Sequence, residues 1–461
     1  MNGIFFELKK VLKAGLLCFC LFVLCGCAKS EEEIVDFGRV DIVKLITPVM
    51  ECYDYNLIIE DDEVADSEEE VVEETKEEPS TEPPKDDKVY FNPDEPMHGV
   101  WVASVLNIDY PKTRTGNAEA LKSQADEIIN NCAKMGINNI FLQVRPCSDA
   151  FYKSDIFPTS KYLTGAQGKN PDGDFDCLEY WICKCHENNI ALHAWINPYR
   201  ITKEKESLEE LDDTNPARLH PEWVVKHEGN LYFDPGIPEV RELVVSGIVE
   251  IIENYDVDGI HFDDYFYPQE SKENFNDGET FEKYGAGFDK KGPFRRDSVD
   301  KLIRECMDAV KAADNTVVFG ISPSGIWANK STNSEGSNTS GSEAYVRLYA
   351  DTRKWGKEGW IDYIIPQIYW HIGHDKANYA TLVKWWSEQM EGSPTRLYVG
   401  LADYKVGDDK YWKGGAGLQN LKDQIELNKE YPNVKGEVHY NYTSLFGHSD
   451  LVDYFTDLYS K

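Results

Sequence analysis

The chain has 461 residues and carries 82 acidic against 48 basic side chains, which gives a formal net charge of −34 at pH 7. Such an acidic excess disfavours nucleic acids and other polyanions as partners and favours a neutral or weakly charged polymer. The length allows one large domain or two smaller ones.

Residues 1–27 have the pattern of an export signal. Three lysines precede an apolar run from Ala14 to Leu24, which is too short for a comfortable membrane span. The run ends in Leu-Cys-Gly-Cys, similar to the site at which bacterial lipoproteins are cut and lipidated, so Cys27 is the expected lipidation site. An ordinary cleaved signal or a short anchor helix is the alternative. Every version predicts an exported protein, and the lipidated one predicts attachment to the outer face of the cell membrane or to a periplasm-facing membrane.

Residues 28–95 are expected to form an acidic, disordered linker. The segment from Ala28 to Lys88 contains 22 acidic and 6 basic residues. A segment of this composition cannot bury enough apolar surface to offset the entropy of ordering. We expect it to act as a tether that holds a catalytic domain away from the membrane.

From Met97 onward, apolar strand-like runs alternate with stretches of helical periodicity. The predicted strands lie at 98–103, 139–145, 191–197, 257–265, 317–322, 363–370, 396–401 and 436–441. The predicted helices lie at 118–135, 176–188, 239–254, 296–313, 342–355, 377–390, 418–429 and 451–459. Eight strand and helix pairs predict a single (β/α)8 TIM barrel with long βα loops over residues 96–461. An open, doubly wound sheet is the alternative, but no glycine-rich phosphate turn follows the first strand.

Polar and aromatic residues gather at the carboxyl ends of the predicted strands, where parallel barrels keep their active sites. The adjacent acids Asp263 and Asp264 are the candidate catalytic pair, because one of two neighbouring carboxyls should have a raised pKa and supply a proton. Since residues two apart share a side of a strand, Asp263 should point into the barrel mouth and Arg145 should align with Gln143. The candidate sugar-binding residues are Gln143, Arg145, Trp195, Asn197, Tyr265, Ser322, Gln367, Tyr369 and Trp370.

Six ordered motifs carry a family resemblance. They are His98-Gly99-Val100-Trp101, Gln143-Val144-Arg145-Pro146, Ala194 to Arg200, Asp258 to Tyr265, Ile321 to Gly325, and Pro366 to Trp370. Together they resemble the glycosyl hydrolase-like 10 family of bacterial lipoproteins. The resemblance implies a barrel that acts on glycan, with peptidoglycan strands as the leading substrate.

The mechanistic hypothesis is that Asp263 and Asp264 supply the acid and its electrostatic partner. An N-acetyl group of the substrate could itself be the nucleophile, with Gln367 and Tyr369 orienting the sugar. A route that uses a second enzyme carboxylate would need another residue, for which Asp149 and Asp403 are candidates. Neither a cofactor nor a metal ion is expected.

Other interpretations remain open at this point. The protein could be a lipid-anchored glycan-binding barrel without catalysis, or a metal-dependent deacetylase. Asp264 could cap a loop or pair with Arg145, and Tyr369 and Trp370 could simply pack. His193 and His261 fit satisfied core histidines better than catalysts.

Overall fold

A computed structural model describes residues 90–269, 274–408 and 410–460. Their strands are β1 (Met97–Val102), β2 (Asn139–Arg145), β3 (Ala191–Ile196), β4 (Val224–His227), β5 (Asn230–Phe233), β6 (Gly259–Phe262), β7 (Val318–Ile321), β8 (Tyr363–Ile364), β9 (Arg396–Leu401) and β10 (Val434–His439). Their α-helices are α1 (Ala118–Met135), α2 (Lys161–Thr164), α3 (Cys177–Glu187), α4 (Pro216–Leu219), α5 (Pro238–Asn254), α6 (Gly278–Tyr284), α7 (Lys291–Ala313), α8 (Ala344–Arg347), α9 (Thr352–Lys357), α10 (Tyr379–Met390), α11 (Gly415–Asn428), α12 (Tyr442–Phe446) and α13 (Ser449–Tyr459). Within these residues no helix is long and apolar enough to cross a membrane.

Eight of the strands close into a parallel barrel. The order around the ring is β1-β10-β9-β8-β7-β6-β3-β2, while β4 and β5 form a separate antiparallel hairpin. The predicted TIM barrel is confirmed. Its connections follow from sequence signals, since Asn117 and Asp176 cap the first turns of α1 and α3 with their side chains and Gly136 ends α1 with a left-handed backbone.

The barrel has two apolar cores. A large core fills the space between the strands and the surrounding helices. A smaller core fills the barrel interior and includes Phe91, Trp101, Phe141, Tyr363 and Tyr398. Filling an eight-stranded barrel with large rings requires small residues on facing strands, because the interior is only wide enough for packed side chains.

The structure differs from the sequence expectation in three places. The predicted sixth strand is reduced to β8, because Pro366 has no N–H to donate. The predicted helix 342–355 divides into α8 and α9 around Tyr349, whose φ of 53° is incompatible with a continuous helix. The hairpin of β4 and β5 was not predicted, although Glu228 and Gly229 supply the positive φ angles that its two-residue turn requires.

The N-terminal predictions concern a different part of the chain. The export segment 1–27 with Cys27, and the acidic linker as far as residue 89, lie outside the described residues. The last residues of the predicted linker are described, and there Phe91 is buried against the rings of His193 and Tyr363. Among the described residues, Phe91 is therefore the first buried one along the chain that packs in the barrel interior.

Gly320 tests the packing of the barrel interior. A Cβ at this position would lie 2.1 Å from the Tyr363 ring, so Gly320→Ala should lower the free energy of unfolding by about 1–3 kcal/mol through overpacking. The matched control is Gly415→Ala, because a Cβ there meets nothing within 4 Å. Urea denaturation of both variants measures the effect. Equal stability of the two would contradict this account of the interior.

Candidate active site

A hollow of about 250 Å³ lies at the carboxyl ends of the barrel strands. Barrels of this kind build their sites from the loops at this edge. The lining residues are Trp101, Trp195, Asp263, Tyr265, Ser322, Gln367, Tyr369, Tyr404 and Tyr440. Six of the nine are residues singled out from the sequence, and the structure brings these six into one space.

The acid pair follows directly on the end of β6 at Phe262. Asp263 is buried, and its Oδ1 accepts hydrogen bonds from the backbone N–H of Asp264 at 2.8 Å and from Nε2 of Gln367 at 2.9 Å. Asp264 is half-buried beside the hollow and is not among the residues that line it. The predicted inward direction of Asp263 is thus confirmed.

The two carboxyls of the pair have unequal proton affinities. Burial raises the pKa of Asp263, while hydrogen bonds from Asp264 and Gln367 and the charge of Arg200 oppose this effect. Burial, and after it the negative charge of Asp263, raise the pKa of Asp264 well above its usual range. Neighbouring carboxyls titrate as a unit, and these partners favour the proton on Asp264 and the negative charge on Asp263.

Gln367 fixes the orientation of Asp263. Besides its bond to Asp263, the Nε2 of Gln367 donates to the backbone carbonyl of Ser322 at 2.8 Å. Both amide hydrogens are therefore used on acceptors from neighbouring strands. The backbone places the amide correctly, because the N–H of Gln367 donates to Pro323 and continues the strand pairing beyond Pro366.

His261 is fully buried behind the lining residues Trp101 and Ser322, and it is neutral. The indole Nε1 of Trp101 can only donate, and it lies 3.2 Å from Nε2 of His261, so that nitrogen is an acceptor. The Ser322 Oγ lies 2.9 Å from the same nitrogen. The proton of His261 therefore resides on Nδ1, which donates to the Tyr363 hydroxyl at 3.1 Å.

The same chain of hydrogen bonds continues to His193. The hydroxyl of Tyr363 donates to Nδ1 of His193 at 3.1 Å, and Nε2 of His193 donates to the Asn139 side chain at 2.9 Å. Burial lowers the pKa of His193 to about 3 and that of His261 well below its usual value. Both are core histidines with complete hydrogen bonding, in agreement with the sequence-based interpretation.

Three tyrosines form one wall of the hollow. The ring centroids of Tyr369, Tyr404 and Tyr440 are 5.7 to 5.8 Å apart in every pair, and the ring of Trp101 is 6.0 Å from that of Tyr440. Their edge-to-face and tilted contacts are favourable geometries for aromatic rings. The wall is therefore a preformed apolar surface of the kind that a sugar ring can lie against.

A buried hydrogen bond between a histidine and an aspartate positions two rings of that wall. Nδ1 of His439 lies 2.9 Å from Oδ1 of Asp403, and both side chains are inaccessible to solvent. Asp403 immediately precedes Tyr404, and His439 immediately precedes Tyr440. The backbone N–H of Tyr404 also donates to the carbonyl of Tyr440 at 3.1 Å. The loops after β9 and β10 are consequently fixed to each other.

Two polar atoms of the lining have no hydrogen-bond partner among the described residues. They are the indole N–H of Trp195 and the hydroxyl of Tyr369, and both are buried. An unpartnered buried donor costs free energy in the unliganded protein. Both residues line the hollow, so a small shift of either side chain would bring its donor to an oxygen of a bound ligand.

Arg200 supplies positive charge beside the acid pair. Its guanidinium lies 5.0 Å from the centroid of the Tyr265 ring, and its Nε donates to the carbonyl of Pro146. The hairpin of β4 and β5 holds this segment, since Tyr232 bridges to Arg200 and the N–H of Phe233 donates to Tyr199. The unpredicted hairpin therefore has a role at the site.

Gln143 and Asn197 are buried outside the lining of the hollow. Gln143 accepts from the backbone N–H groups of Ser104 and Val105 and donates to Oδ1 of Asn197 at 2.8 Å. These bonds join the loop after β1 to the end of β3. The structure thus gives both residues a place in the loop scaffold instead of the hollow.

Arg145 and Trp370 also lie away from the hollow. The register of β2 against β3 shifts between Gln143 and Arg145, so the expected alignment of these two side chains is wrong. The Arg145 guanidinium lies on the helix side, 4.4 Å from the Phe157 ring centroid. Trp370 has the opposite parity to Gln367 and Tyr369, and its half-buried ring packs near Gly325.

The two alternative carboxylates are not in the hollow. Asp403 is fully buried in its pair with His439. Asp149 belongs to a separate cavity of about 500 Å³ formed with Gln167 and Asp212. Across residues 90–269, 274–408 and 410–460, no group of three or more His, Cys, Asp or Glu side chains is arranged to hold a metal ion.

Four site residues were missed from the sequence. Trp101 and Tyr440 lie at or just beyond the ends of β1 and β10, so the strand-end rule that found Asp263 could have found them. Tyr404 and Arg200 lie on loops after the strands end, where parity gives no direction. Their positions depend on the tertiary contacts described above.

Comparison with known proteins identifies relatives over most of the barrel. The model of a family described as glycosyl hydrolase-like 10 matches residues 96–413. Glycosyl hydrolase YngK of Bacillus subtilis (strain 168) is 42% identical over 377 residues, covering 80% of this chain and 72% of that protein. Glycosyl hydrolase DigH of Escherichia coli (strain K12) is 37% identical over 363 residues, covering 75% and 82%.

Among solved structures, the PgaB (BpsB) glycoside hydrolase domain from Bordetella bronchiseptica aligns with a TM-score of 0.53. The alignment has 11% sequence identity and covers 79% of this chain and 98% of that domain. At this identity the likeness supports the barrel fold alone.

Tyr369→Phe tests whether the unpartnered hydroxyl serves a ligand. Because the free protein loses no hydrogen bond, the melting temperature should stay the same or rise, while the Kd of a bound sugar should weaken by about tenfold. The control is Tyr363→Phe, which removes a hydroxyl that bridges two histidines and should lower the melting temperature. Calorimetry measures both quantities, and unchanged sugar affinity in Tyr369→Phe would refute the assignment.

Proposed function

Because the chain is a glycosidase of the glycosyl hydrolase-like 10 family, we propose that it cleaves the glycan strands of peptidoglycan, with Asp264 as the acid and Asp263 as its charged partner. The observation that carries this proposal is the hollow itself. It brings Asp263, whose neighbour Asp264 has the higher proton affinity, together with an aromatic wall and with two residues that carry unpartnered donors.

Asp264 protonates the oxygen of the leaving sugar. Its raised pKa keeps the proton on this carboxyl to a higher pH than an ordinary aspartic acid would, as a general acid requires. Asp263 remains anionic because the N–H of Asp264 and the amide of Gln367 donate to it. Its charge stabilises the positive charge that develops on the sugar as the glycosidic bond breaks.

The nucleophile is the acetamido carbonyl oxygen of the substrate. Asp403 is fully buried against His439 and Asp149 belongs to a separate cavity, so neither residue can attack a sugar held in the hollow. The acetamido oxygen bonds to the anomeric carbon as the C–O bond to the leaving sugar breaks, and the leaving oxygen takes the proton of Asp264. Water then attacks the anomeric carbon, the acetamido group leaves, and the proton from water returns to Asp264.

Buried donors hold the acetamido group for this step. The hydroxyl of Tyr369 and the indole N–H of Trp195 have no partner among the described residues, and a small shift of each side chain on binding turns them to the sugar. Both sugars of a peptidoglycan strand carry N-acetyl groups, which makes this polymer a suitable substrate.

The location follows from the N-terminal segment. Residues 1–27 act as a lipoprotein signal, Cys27 carries the lipid, and the acidic segment that follows allows the barrel to reach the cell wall. The enzyme is thereby held on the outer face of the cell membrane or on a periplasm-facing membrane, next to its polymer.

Substitution of the acid pair tests the catalytic assignment. Asp263→Asn and Asp264→Asn should each lower kcat/KM for peptide-free, N-acetylated glycan strands by at least about 100-fold, because each removes a group needed in the transition state. Chromatography of the released sugars measures the rate. De-N-acetylated strands should be resistant to the unsubstituted enzyme.

The matched control is Asp149→Asn, which changes a buried acid outside the hollow and should retain most of the activity. Near-normal rates in both Asp263→Asn and Asp264→Asn would refute the catalytic assignment. A protein that binds strands but releases no sugar would be a glycan-binding barrel.

The pH profile tests which carboxyl holds the proton. A general acid must be protonated, so kcat/KM should fall as pH rises through the raised pKa of Asp264. Asp263→Asn removes the adjacent negative charge, lowers the pKa of Asp264, and should move the alkaline limb of the residual activity to lower pH. Rates from pH 4 to pH 9 would show this, and a limb that stays in place would contradict the assignment.

A further inference from the structure

The exposed apolar side chains of the described residues are concentrated on one face. The large ones are Leu106, Leu219, Tyr265, Val346, Ile372, Tyr404 and Tyr411. Each lies between the carboxyl end of a barrel strand and the last helix before the next barrel strand, which is the side of the barrel that carries the hollow. Of these seven residues only Tyr265 and Tyr404 also line the hollow, so these two are available to a ligand that extends beyond it.

The hollow encloses only part of a polymer. Its volume of about 250 Å³ is smaller than the roughly 300–1,000 Å³ of pockets that enclose drug-sized ligands, so it has room for about one pyranose ring. The neighbouring sugars of a strand must lie outside it. Their binding depends on the side chains at the rim, which is the opening of the hollow.

Two exposed tyrosines line the hollow from different sides of the barrel. Tyr265 is 47% exposed and follows β6, while Tyr404 is 46% exposed and follows β9. These strands are three positions apart in the ring of eight, so the two rings stand on well-separated parts of the rim. A pocket that accepts only a chain end needs one such platform, whereas this rim has one on each side.

The two rings also have surface available for stacking. The guanidinium of Arg200 lies over one face of Tyr265, which leaves the opposite face for a ligand. Tyr404 meets Tyr369 and Tyr440 at interplanar angles of 75° and 89°, so its neighbours contact it edge to face. Nearly half of the surface of each residue is exposed to solvent.

We propose that Tyr265 and Tyr404 are stacking platforms for the sugars on either side of the enclosed one, so that the enzyme cleaves internal bonds of a glycan strand. The inference rests on the proposed function and adds the mode of attack to it. A glycan strand of three or more sugars spans both platforms and the hollow. The rest of the glycan extends out of the site in both directions.

Chain-length dependence tests the platforms. Tyr404→Ala and Tyr265→Ala should each lower kcat/KM for strands of about ten sugars by about tenfold more than for an aryl glycoside of one N-acetylhexosamine, since about 1.4 kcal/mol of binding energy corresponds to that factor. Tyr404→Phe keeps the ring and should retain the rate on long strands. Leu219→Ala, an exposed apolar residue outside the hollow, should leave the ratio unchanged.

The products of the unsubstituted enzyme provide the second readout. Size-fractionated, peptide-free strands labelled at the reducing end should yield fragments of many lengths at the earliest times. Release of single sugars from one end alone, or an unchanged length ratio in Tyr404→Ala and Tyr265→Ala, would overturn the inference while leaving the proposed function intact. Absence of any cleavage would overturn both.

Discussion

The interior of the barrel depends on one directional chain of hydrogen bonds. It runs from the indole of Trp101 through His261 and Tyr363 to His193, and it crosses the space that eight parallel strands enclose. An interior of this size must be filled with large side chains, and each buried polar atom among them must be paired. Because the indole of Trp101 can only donate, every hydrogen bond in this series has a fixed direction. Each histidine therefore accepts at one ring nitrogen, so both are neutral.

This chain of hydrogen bonds marks the boundary between the scaffold of the barrel and the site. Below the hollow, the polar atoms of the two histidines and of Tyr363 all have partners, so removing one leaves another unpaired at a cost of about 1–3 kcal/mol. At the hollow itself, the Trp195 indole and the Tyr369 hydroxyl have none among the described residues. A rigid, fully bonded floor thus supports a surface whose hydrogen bonds are left for the substrate. Pre-organisation of this kind is how enzymes stabilise developing charge without rearranging.

The sequence was informative wherever a regular strand carried the residue. Along β6 the alternation is uninterrupted, so Asp263 could be directed into the hollow from its spacing alone, and the same rule accounts for Trp195. The rule failed at Arg145 because the ladder between β2 and β3 shifts by a residue there. Such an irregularity is decided by tertiary packing, which places the guanidinium on Phe157.

The remaining differences have the same origin. Tyr404 lies in a loop, and its position is set by the hydrogen bond between Asp403 and His439, residues that are distant in sequence. Gln143 and Asn197 have the polar groups expected of a sugar-binding residue, but they bond to each other and to the loop after β1. Composition at a strand end therefore predicted the neighbourhood of the site better than the individual contacts.

The central claim is that one sugar sits over His261 with its acetamido group on the donors of the hollow. A crystal structure of Asp264→Asn bound to an N-acetylated tetrasaccharide tests it most directly. The account predicts a sugar ring in the hollow, with its acetamido oxygen within about 3 Å of the Tyr369 hydroxyl or the Trp195 indole. A tetrasaccharide bound in the larger cavity beside Asp149, with the hollow empty, would contradict it.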